Sequence, residues 1–140
     1  MRLFIDTNIL IDLLIKRKPS YFSVVKLFDL ALKRKDTIVI SNLSIINAHY
    51  VVKKIEGVEE ATLRTVLHNI CTTCEIAPFT VNVTIKSLVS DFKDFEDGTQ
   101  YFCALENNCH LIITNNIKDF NLSSLPVMNA AEFLIKYQHE

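Results

Sequence analysis

Short apolar runs alternate along the chain with longer stretches in which apolar residues recur every three or four positions. The runs at residues 2–5, 37–40 and 110–114 contain few polar residues. Such short, nearly continuous runs are typical of strands that are buried on both faces of a parallel sheet. The pattern predicts strands at residues 2–5, 37–40, 75–79, 110–114 and 126–128.

Between these runs, the apolar positions follow the 3.6-residue period of an amphipathic helix. Val24, Leu27 and Ala31 share one face of the second such stretch, which Pro19 separates from the first. Ser41 precedes a third stretch and is a residue type that caps helix N-termini well. Helices are predicted at residues 7–18, 20–33, 42–57, 58–72, 80–90, 96–107 and 130–137, with Gly57 ending the third.

The alternation of strands and helices also predicts the fold class. Strands connected through helices pair in parallel by right-handed crossovers. We therefore expect an α/β protein, a three-layer α/β/α sandwich around a small, mostly parallel central sheet. The chain contains only two glycines, three prolines and no low-complexity segment, so residues 1–140 are predicted to form a single domain.

Composition excludes several classes of protein. A hydrophobic fraction of 49% with 22% charged residues is that of a soluble globular domain. No uncharged apolar stretch approaches the roughly 20 residues that a membrane span requires, so no membrane association is expected. The N-terminal segment lacks the charged and apolar regions of a secretory signal, and a cytoplasmic location is therefore predicted.

The net charge of −1 does not by itself indicate nucleic-acid binding. Short basic groups nevertheless occur, and they are candidates for contacts with an RNA backbone. Solvated helix ends are the alternative interpretation of the same groups. The candidate RNA-binding residues are Lys16, Arg17, Lys18, Lys53 and Lys54.

Three acidic residues occur where a parallel sheet would bring them together. Asp6 follows the first strand, Asp119 follows the strand at residues 110–114, and Asp97 stands at the head of a helix. Carboxyl ends of parallel strands meet at one edge of the sheet, where open α/β sheets bind ligands. Clustered carboxylates remain ionised only beside a cation, and oxygen ligands suit Mg²⁺ or Mn²⁺. The sequence therefore indicates metal-dependent phosphoryl chemistry.

Polar neighbours of these acids are candidate supporting residues. Asn8 is close enough to Asp6 to hold its carboxylate in position, and Thr114 and Asn116 precede Asp119 in the same loop. Each residue also has a structural interpretation, as a helix cap or a turn residue. One shared site explains all of them more economically. The remaining acids nearby, among them Glu96, are expected to be solvated.

Several segments resemble the PIN domain, an α/β nuclease fold. Residues 4–10 are similar to its opening signature, and residues 94–97 place Asp97 at its third acidic position. Residues 111–120 are similar to its last strand and loop, and residues 126–134 to its C-terminal strand and helix. The resemblance covers nearly the whole chain with the segments in the same order and spacing.

This resemblance implies a ribonuclease that depends on Mg²⁺ or Mn²⁺, with Asp6 and Asp97 as principal ligands and Asp119 or Asn116 completing the site. Many bacterial PIN proteins are VapC-like toxins that a cognate antitoxin restrains. The resemblance therefore implies an endoribonuclease, the toxin of a toxin–antitoxin pair. PIN relatives often form dimers, and the apolar surface of the second helix, which includes Phe22 and Val25, favours a homodimer.

The chain departs from the family pattern at two positions. Asn47 stands where many PIN domains carry a glutamate, and Asn116 stands where an aspartate is usual. An amide offers a metal a neutral oxygen but no charge, so binding of Mg²⁺ is expected to be weaker. We interpret the chain as a member of a subfamily with asparagine at the second acidic position. The alternative is a catalytically weak or inactive PIN module that binds RNA or protein.

Overall fold

Five parallel strands form the centre of the computed structural model, which describes residues 1–140. The strand order is β3-β2-β1-β4-β5, and every neighbouring pair is parallel. In the centre of the sheet, Phe4 of β1 is in register with Val39 and Ile112. The strands are β1 Arg2–Ile5, β2 Thr37–Ser41, β3 Glu75–Ala77, β4 Leu111–Ile113 and β5 Val127–Met128.

Helices cover both faces of this sheet, which confirms the predicted three-layer α/β sandwich. Because successive strand residues point to opposite faces, Leu3 and Ile5 pack on one side with Phe133 of α7, whereas Phe4 packs on the other with Tyr101 of α6. The α-helices are α1 Thr7–Ile15, α2 Ser20–Lys33, α3 Asn42–Val52, α4 Glu60–Thr73, α5 Val81–Leu88, α6 Phe95–Glu106 and α7 Ala130–Tyr137, and a short 3₁₀ helix spans Ile117–Phe120. None of them has the length and apolar character that crossing a membrane requires.

Two predicted helices, α2 and α7, begin and end where the sequence pattern placed them. The prediction for α3 was wrong, because this helix ends at Val52 rather than at Gly57. Turns replace its predicted last part, with backbone hydrogen bonds from Ile55 to Val52 and from Val58 to Ile55. They let Val58 pack against the small apolar cluster of Val52, Leu63 and Leu67. Burial of these apolar side chains stabilises the turns more than a continued helix would be stabilised, although the helical pattern of the sequence extends to Gly57.

The order of the strands creates a crevice between β1 and β4. From β1 the chain proceeds through β2 to β3 on one side, whereas β4 and β5 lie on the other. Adjacent strands whose connections run in opposite directions leave an open crevice at their carboxyl ends. Asp6 directly follows β1 and Thr114 directly follows β4, so the two residues meet in this crevice.

Candidate functional site

A cavity of about 500 Å³ opens at the carboxyl end of the sheet. We call it the acidic cavity, because five carboxylates and three side-chain amides line it without any lysine, arginine or histidine. The lining residues are Asp6, Thr7, Asn8, Ile11, Asn47, Tyr50, Val51, Asp94, Glu96, Asp97, Asn116 and Asp119.

Asp6 lies at the bottom of the acidic cavity with 5% of its surface exposed. Its Oδ1 atom accepts a 2.7 Å hydrogen bond from the backbone N–H of Thr7, so Asp6 also caps α1. Its Oδ2 atom accepts hydrogen bonds from Thr114 Oγ1 at 2.7 Å and from Asn8 Nδ2 at 3.0 Å. Burial raises the pKa of Asp6 despite these three donors. The buried carboxylate therefore has hydrogen-bond partners but no positive charge beside it.

Asp97 occupies the first turn of α6 and is half-buried. The cap of this helix is Asp94, which accepts a 3.0 Å hydrogen bond from the backbone N–H of Asp97. Burial, followed by the charges of Asp6, Asp94, Asp119 and the neighbouring glutamate, raises the pKa of Asp97 to about 7. The side chain of Asp97 makes no hydrogen bond within the protein, so both carboxylate oxygens are available to a ligand in the cavity.

Asp119 and Asn116 reach the acidic cavity from the loop after β4. Both residues are exposed, and the backbone N–H of Asp119 donates to the carbonyl of Asn116 at 3.0 Å. The 3₁₀ helix at Ile117–Phe120, which the sequence analysis did not predict, places them on the same side of the loop. The structure thus brings together the three acids that the sequence singled out.

Asn8 and Thr114 connect the two central strands beneath the acids. Asn8 Nδ2 donates to Thr114 Oγ1 at 3.2 Å, and Asn8 Oδ1 accepts from the backbone N–H of Asn115 at 3.1 Å. Thr114 is fully buried and does not line the cavity itself. Its contact with Asp6 fixes the carboxylate from below, which suits a positioning role.

A second buried polar network was missed by the sequence analysis. Gln100 of α6 donates through Nε2 to Thr7 Oγ1 at 3.1 Å and to Ser44 Oγ at 2.9 Å, and it accepts from Ser41 Oγ at 3.0 Å. The network ties α6 to the starts of α1 and α3. The only signal in the sequence is a glutamine one turn after Asp97, on the buried side of its helix.

Asp94 and Glu96 are exposed, as expected, but both also line the acidic cavity. Glu96 accepts a 3.1 Å hydrogen bond from Asn47 Nδ2, which reaches across from α3. Tyr50, one turn further along α3, is also part of the cavity wall with 56% of its surface exposed.

The basic groups separate into two locations. Lys54 Nζ lies 3.7 Å from the centroid of the Tyr50 ring and Lys53 Nζ lies 5.6 Å from it, so both lysines stand next to the cavity wall. The group at Lys16, Arg17 and Lys18 does not line the cavity. Arg17 Nε instead approaches Asp12 at 3.4 Å, Lys18 lies over the Phe22 ring, and Lys16 lines a separate, largely apolar cavity.

The charge balance of the acidic cavity fits a divalent cation. None of its five carboxylates takes part in an ion pair of the protein. No group of three or more Asp, Glu, His or Cys side chains is close enough to hold an ion by direct coordination alone. Mg²⁺ commonly keeps several waters and binds through one or two carboxylates and substrate phosphates. A pair of direct carboxylate ligands with further contacts through water is therefore compatible with this arrangement.

Comparison with known proteins shows which family the sequence matches and which proteins resemble it in sequence and fold. The sequence matches the PIN domain family over residues 2–118. Ribonuclease VapC1 of Aquifex aeolicus is 29% identical over 137 residues, which span 94% of this chain and 92% of that protein. A chain in a toxin–antitoxin complex from Klebsiella pneumoniae is 26% identical with a TM-score of 0.64, and the match covers 93% of this chain and 98% of that one. VapBC2 from Rickettsia felis, solved with a promoter DNA fragment, shares the fold at 22% identity and a TM-score of 0.65, over 92% of this chain and 98% of that one.

Proposed function

This chain belongs to the PIN domain family, and we propose that it is a divalent-metal-dependent endoribonuclease that hydrolyses RNA phosphodiesters as the toxin of a type II toxin–antitoxin pair. The observation that carries this proposal is a cavity with five carboxylates and no basic side chain at the carboxyl end of the sheet. Such a cavity repels an RNA phosphate until a cation is bound, because like charges at close range are unfavourable. Similarity to Ribonuclease VapC1 supports the same conclusion.

Mg²⁺ or Mn²⁺ would be held by Asp6 and Asp97, with Asp119 or Asn116 completing the site. When bound, the ion supplies the positive charge that phosphodiester hydrolysis requires at the reacting oxygens. Asp6 is kept in place by the hydrogen bonds from Asn8 and Thr114, so its orientation is set before any ligand arrives. Such preorganisation lowers the cost of assembling the site around ion and RNA.

Lys53 and Lys54 would guide the RNA backbone toward the acidic cavity. They are the basic group beside its wall, and their charges contrast with the acids within it. Contacts of this kind add affinity for nucleic acid that falls as salt rises. Lys16, Arg17 and Lys18 would contribute less, because they face other parts of the molecule.

A cognate antitoxin is the proposed protein partner. The relative from Klebsiella pneumoniae was solved as part of a toxin–antitoxin complex. An apolar groove of about 460 Å³ between α1, α3 and α4 offers a surface for such a partner, with Leu14, Val52 and Leu63 in its walls. A homodimer is proposed as well, because Phe22 and Val25 of α2 are 56% and 39% exposed.

Cleavage of RNA by the purified protein tests the proposed activity. Structured RNAs are incubated with Mn²⁺ or Mg²⁺, with a chelator, and with the Asp6→Asn and Asp97→Asn variants. We expect cleavage only by the wild type in the presence of metal, while circular dichroism shows that both variants are folded. Full activity in Asp6→Asn would overturn the mechanism.

The second candidate function is a PIN module that binds RNA or protein without cleaving RNA. The amides of Asn47 and Asn116 in the cavity wall favour it, since they replace acids of the family pattern. The same experiment separates the two functions. Binding of RNA without cleavage at saturating Mn²⁺ would support the second candidate against the first.

A further inference from the structure

A hydrogen bond between Asn47 and Glu96 spans the mouth of the acidic cavity. Asn47 Nδ2 donates to Glu96 Oε1 at 3.1 Å and so joins α3 to the first turn of α6. A carboxylate only accepts hydrogen bonds, so the amide must present its NH₂ group to Glu96. This is the only hydrogen bond that the Glu96 side chain makes, and it forms no ion pair.

The hydrogen bond from Asn47 holds the Glu96 carboxylate close to the other carboxylates of the cavity, which repel it. Glu96 is exposed, and its carboxylate is among the charges that raise the pKa values of Asp6 and Asp97. Without the tether, an exposed glutamate would lower its energy by turning away from the other acids into solvent. The arrangement costs free energy without a cation, and the attraction of each carboxylate to a bound cation would offset this repulsion.

We propose that Asn47 and Glu96 act as a pair in the metal site, in which the Glu96 carboxylate contacts the ion through a bound water and Asn47 is the residue that positions it. This inference rests on the proposed function. Asn47 stands where many PIN domains carry a glutamate, so α3 has lost an acid of the family pattern. In this proposal Glu96, which faces Asn47 from α6, supplies the carboxylate that α3 lacks. The number of anions around the ion is therefore maintained.

Calorimetric titration with Mn²⁺ tests the role of Glu96, with the metal-induced rise in the thermal midpoint as a second measurement. Glu96→Gln keeps an oxygen that accepts from Asn47 but removes the charge. We expect its affinity for Mn²⁺ to fall by about 10- to 100-fold, the range found when a group supporting a metal site is removed. Glu106→Gln is the matched control, since it removes an exposed charge from the far end of the same helix and should leave the affinity unchanged.

The exchanged pair, Asn47→Glu combined with Glu96→Gln, tests the pairing itself. The double variant carries the carboxylate at position 47 of α3 and the amide at position 96 of α6, so the two groups have exchanged places. We expect it to recover most of the lost affinity for Mn²⁺, whereas a purely structural contact would give no such recovery. Asn47→Ala should lower the affinity by less than Glu96→Gln, because the carboxylate stays present but loses its tether.

The outcomes distinguish this inference from the proposed function. If the wild type binds Mn²⁺ and Glu96→Gln binds it equally well, the role of Glu96 is overturned while the nuclease proposal stands. If the exchanged pair binds no better than Glu96→Gln, the pairing is overturned. If the wild type binds no Mn²⁺ and cleaves no RNA, both the proposed function and this inference fail.

Discussion

Asn115 Nδ2 donates a 2.7 Å hydrogen bond to Oδ2 of Asp12, a carboxylate with no solvent exposure. The same oxygen accepts from Ser20 Oγ at the start of α2, while Oδ1 has no hydrogen-bond donor and lies 3.4 Å from Arg17 Nε. Because the backbone N–H of Asn115 also donates to Asn8, the loop after β4 is attached to α1 at two points. The metal-site candidates Asn116 and Asp119 belong to that loop.

Replacing Asn115 with alanine is therefore expected to destabilise the fold. The substitution leaves a buried carboxylate with one donor fewer, which costs about 1.5–3 kcal/mol for a charged group. Urea denaturation measures the loss. Asn116→Ala is the control, since its exposed side chain makes no hydrogen bond and surface changes of this kind remain within about 0.5 kcal/mol. Equal stability of the two variants would contradict the proposed attachment.

The contribution of Asp97 to the stability of the metal-free protein should fall as the pH rises from about 4 to about 7. The pKa of Asp97 is raised from 3.8 to about 7, so in this range the folded protein holds a proton that the unfolded chain has released. The folded state is therefore favoured at low pH, and that contribution is lost as the pH passes through the raised pKa. Asp97→Asn should melt at a higher temperature than the wild type at pH 8, with little difference at pH 4.

Differential scanning calorimetry across this pH range provides the measurement. Glu56→Gln is the matched control, because this exposed glutamate forms no ion pair and should leave the pH profile of the wild type unchanged. Saturating Mn²⁺ should raise the wild-type midpoint most at high pH, since the ion competes with the proton at Asp97. A parallel pH profile for Asp97→Asn and the wild type would refute the explanation.

Tyr50 should contribute to RNA binding through its exposed ring. Stacking of a base on an aromatic side chain is worth about 1–3 kcal/mol, so Tyr50→Ala should weaken binding by that amount while Tyr50→Phe retains it. Fluorescence anisotropy with a labelled single-stranded RNA measures the affinity, in an Asp6→Asn background that prevents cleavage.

Lys54 should contribute mainly charge. Removing one phosphate contact reduces the slope of log affinity against log salt by about 0.7–0.9, and we expect this change for Lys54→Ala. Lys16→Ala is the control, because Lys16 lines a different cavity. An equal change of slope in both variants would show that the RNA path does not run along Tyr50.

Gly98 permits the close packing of α6, which carries Asp97, against α5. A Cβ atom at this position would overlap Ser87 Oγ and lie 3.2 Å from Phe92 Cβ. Ser87 Oγ is not free to move away, because it donates a 2.9 Å hydrogen bond to the carbonyl of Phe95. Gly98→Ala should therefore cost about 1–3 kcal/mol, as overpacking of a core does.

A double-mutant cycle with Ser87→Ala isolates this overlap. In the Ser87→Ala background the obstructing oxygen is absent, so Gly98→Ala should cost clearly less free energy of unfolding. Additive costs would place the strain elsewhere, for example at Phe92.

Much of the fold could be predicted from local patterns. Apolar runs of four or five residues are sufficient to indicate buried strands, and the helices between them require parallel pairing. The convergence of the acids that follow β1 and β4 at one edge of the sheet was expected on the same grounds, whereas the hydrogen bond from Thr114 to Asp6 is visible only in the tertiary structure. The error at the end of α3 arose because residues 53–57 continue a helical pattern while Val58 packs into an apolar cluster.

The sequence by itself determined the order of the elements, the parallel sheet and the convergence of Asp6, Asp97 and Asp119, because strand ends bring fixed chain positions to one edge. Only the tertiary structure decided that Asn47 holds Glu96 at the cavity mouth, and that Lys54 rather than Lys18 stands beside its wall. These relationships join residues far apart in the chain or depend on the direction of individual side chains. The spacing of apolar residues along the chain cannot predict these relationships, because they depend on how the helices pack across the sheet.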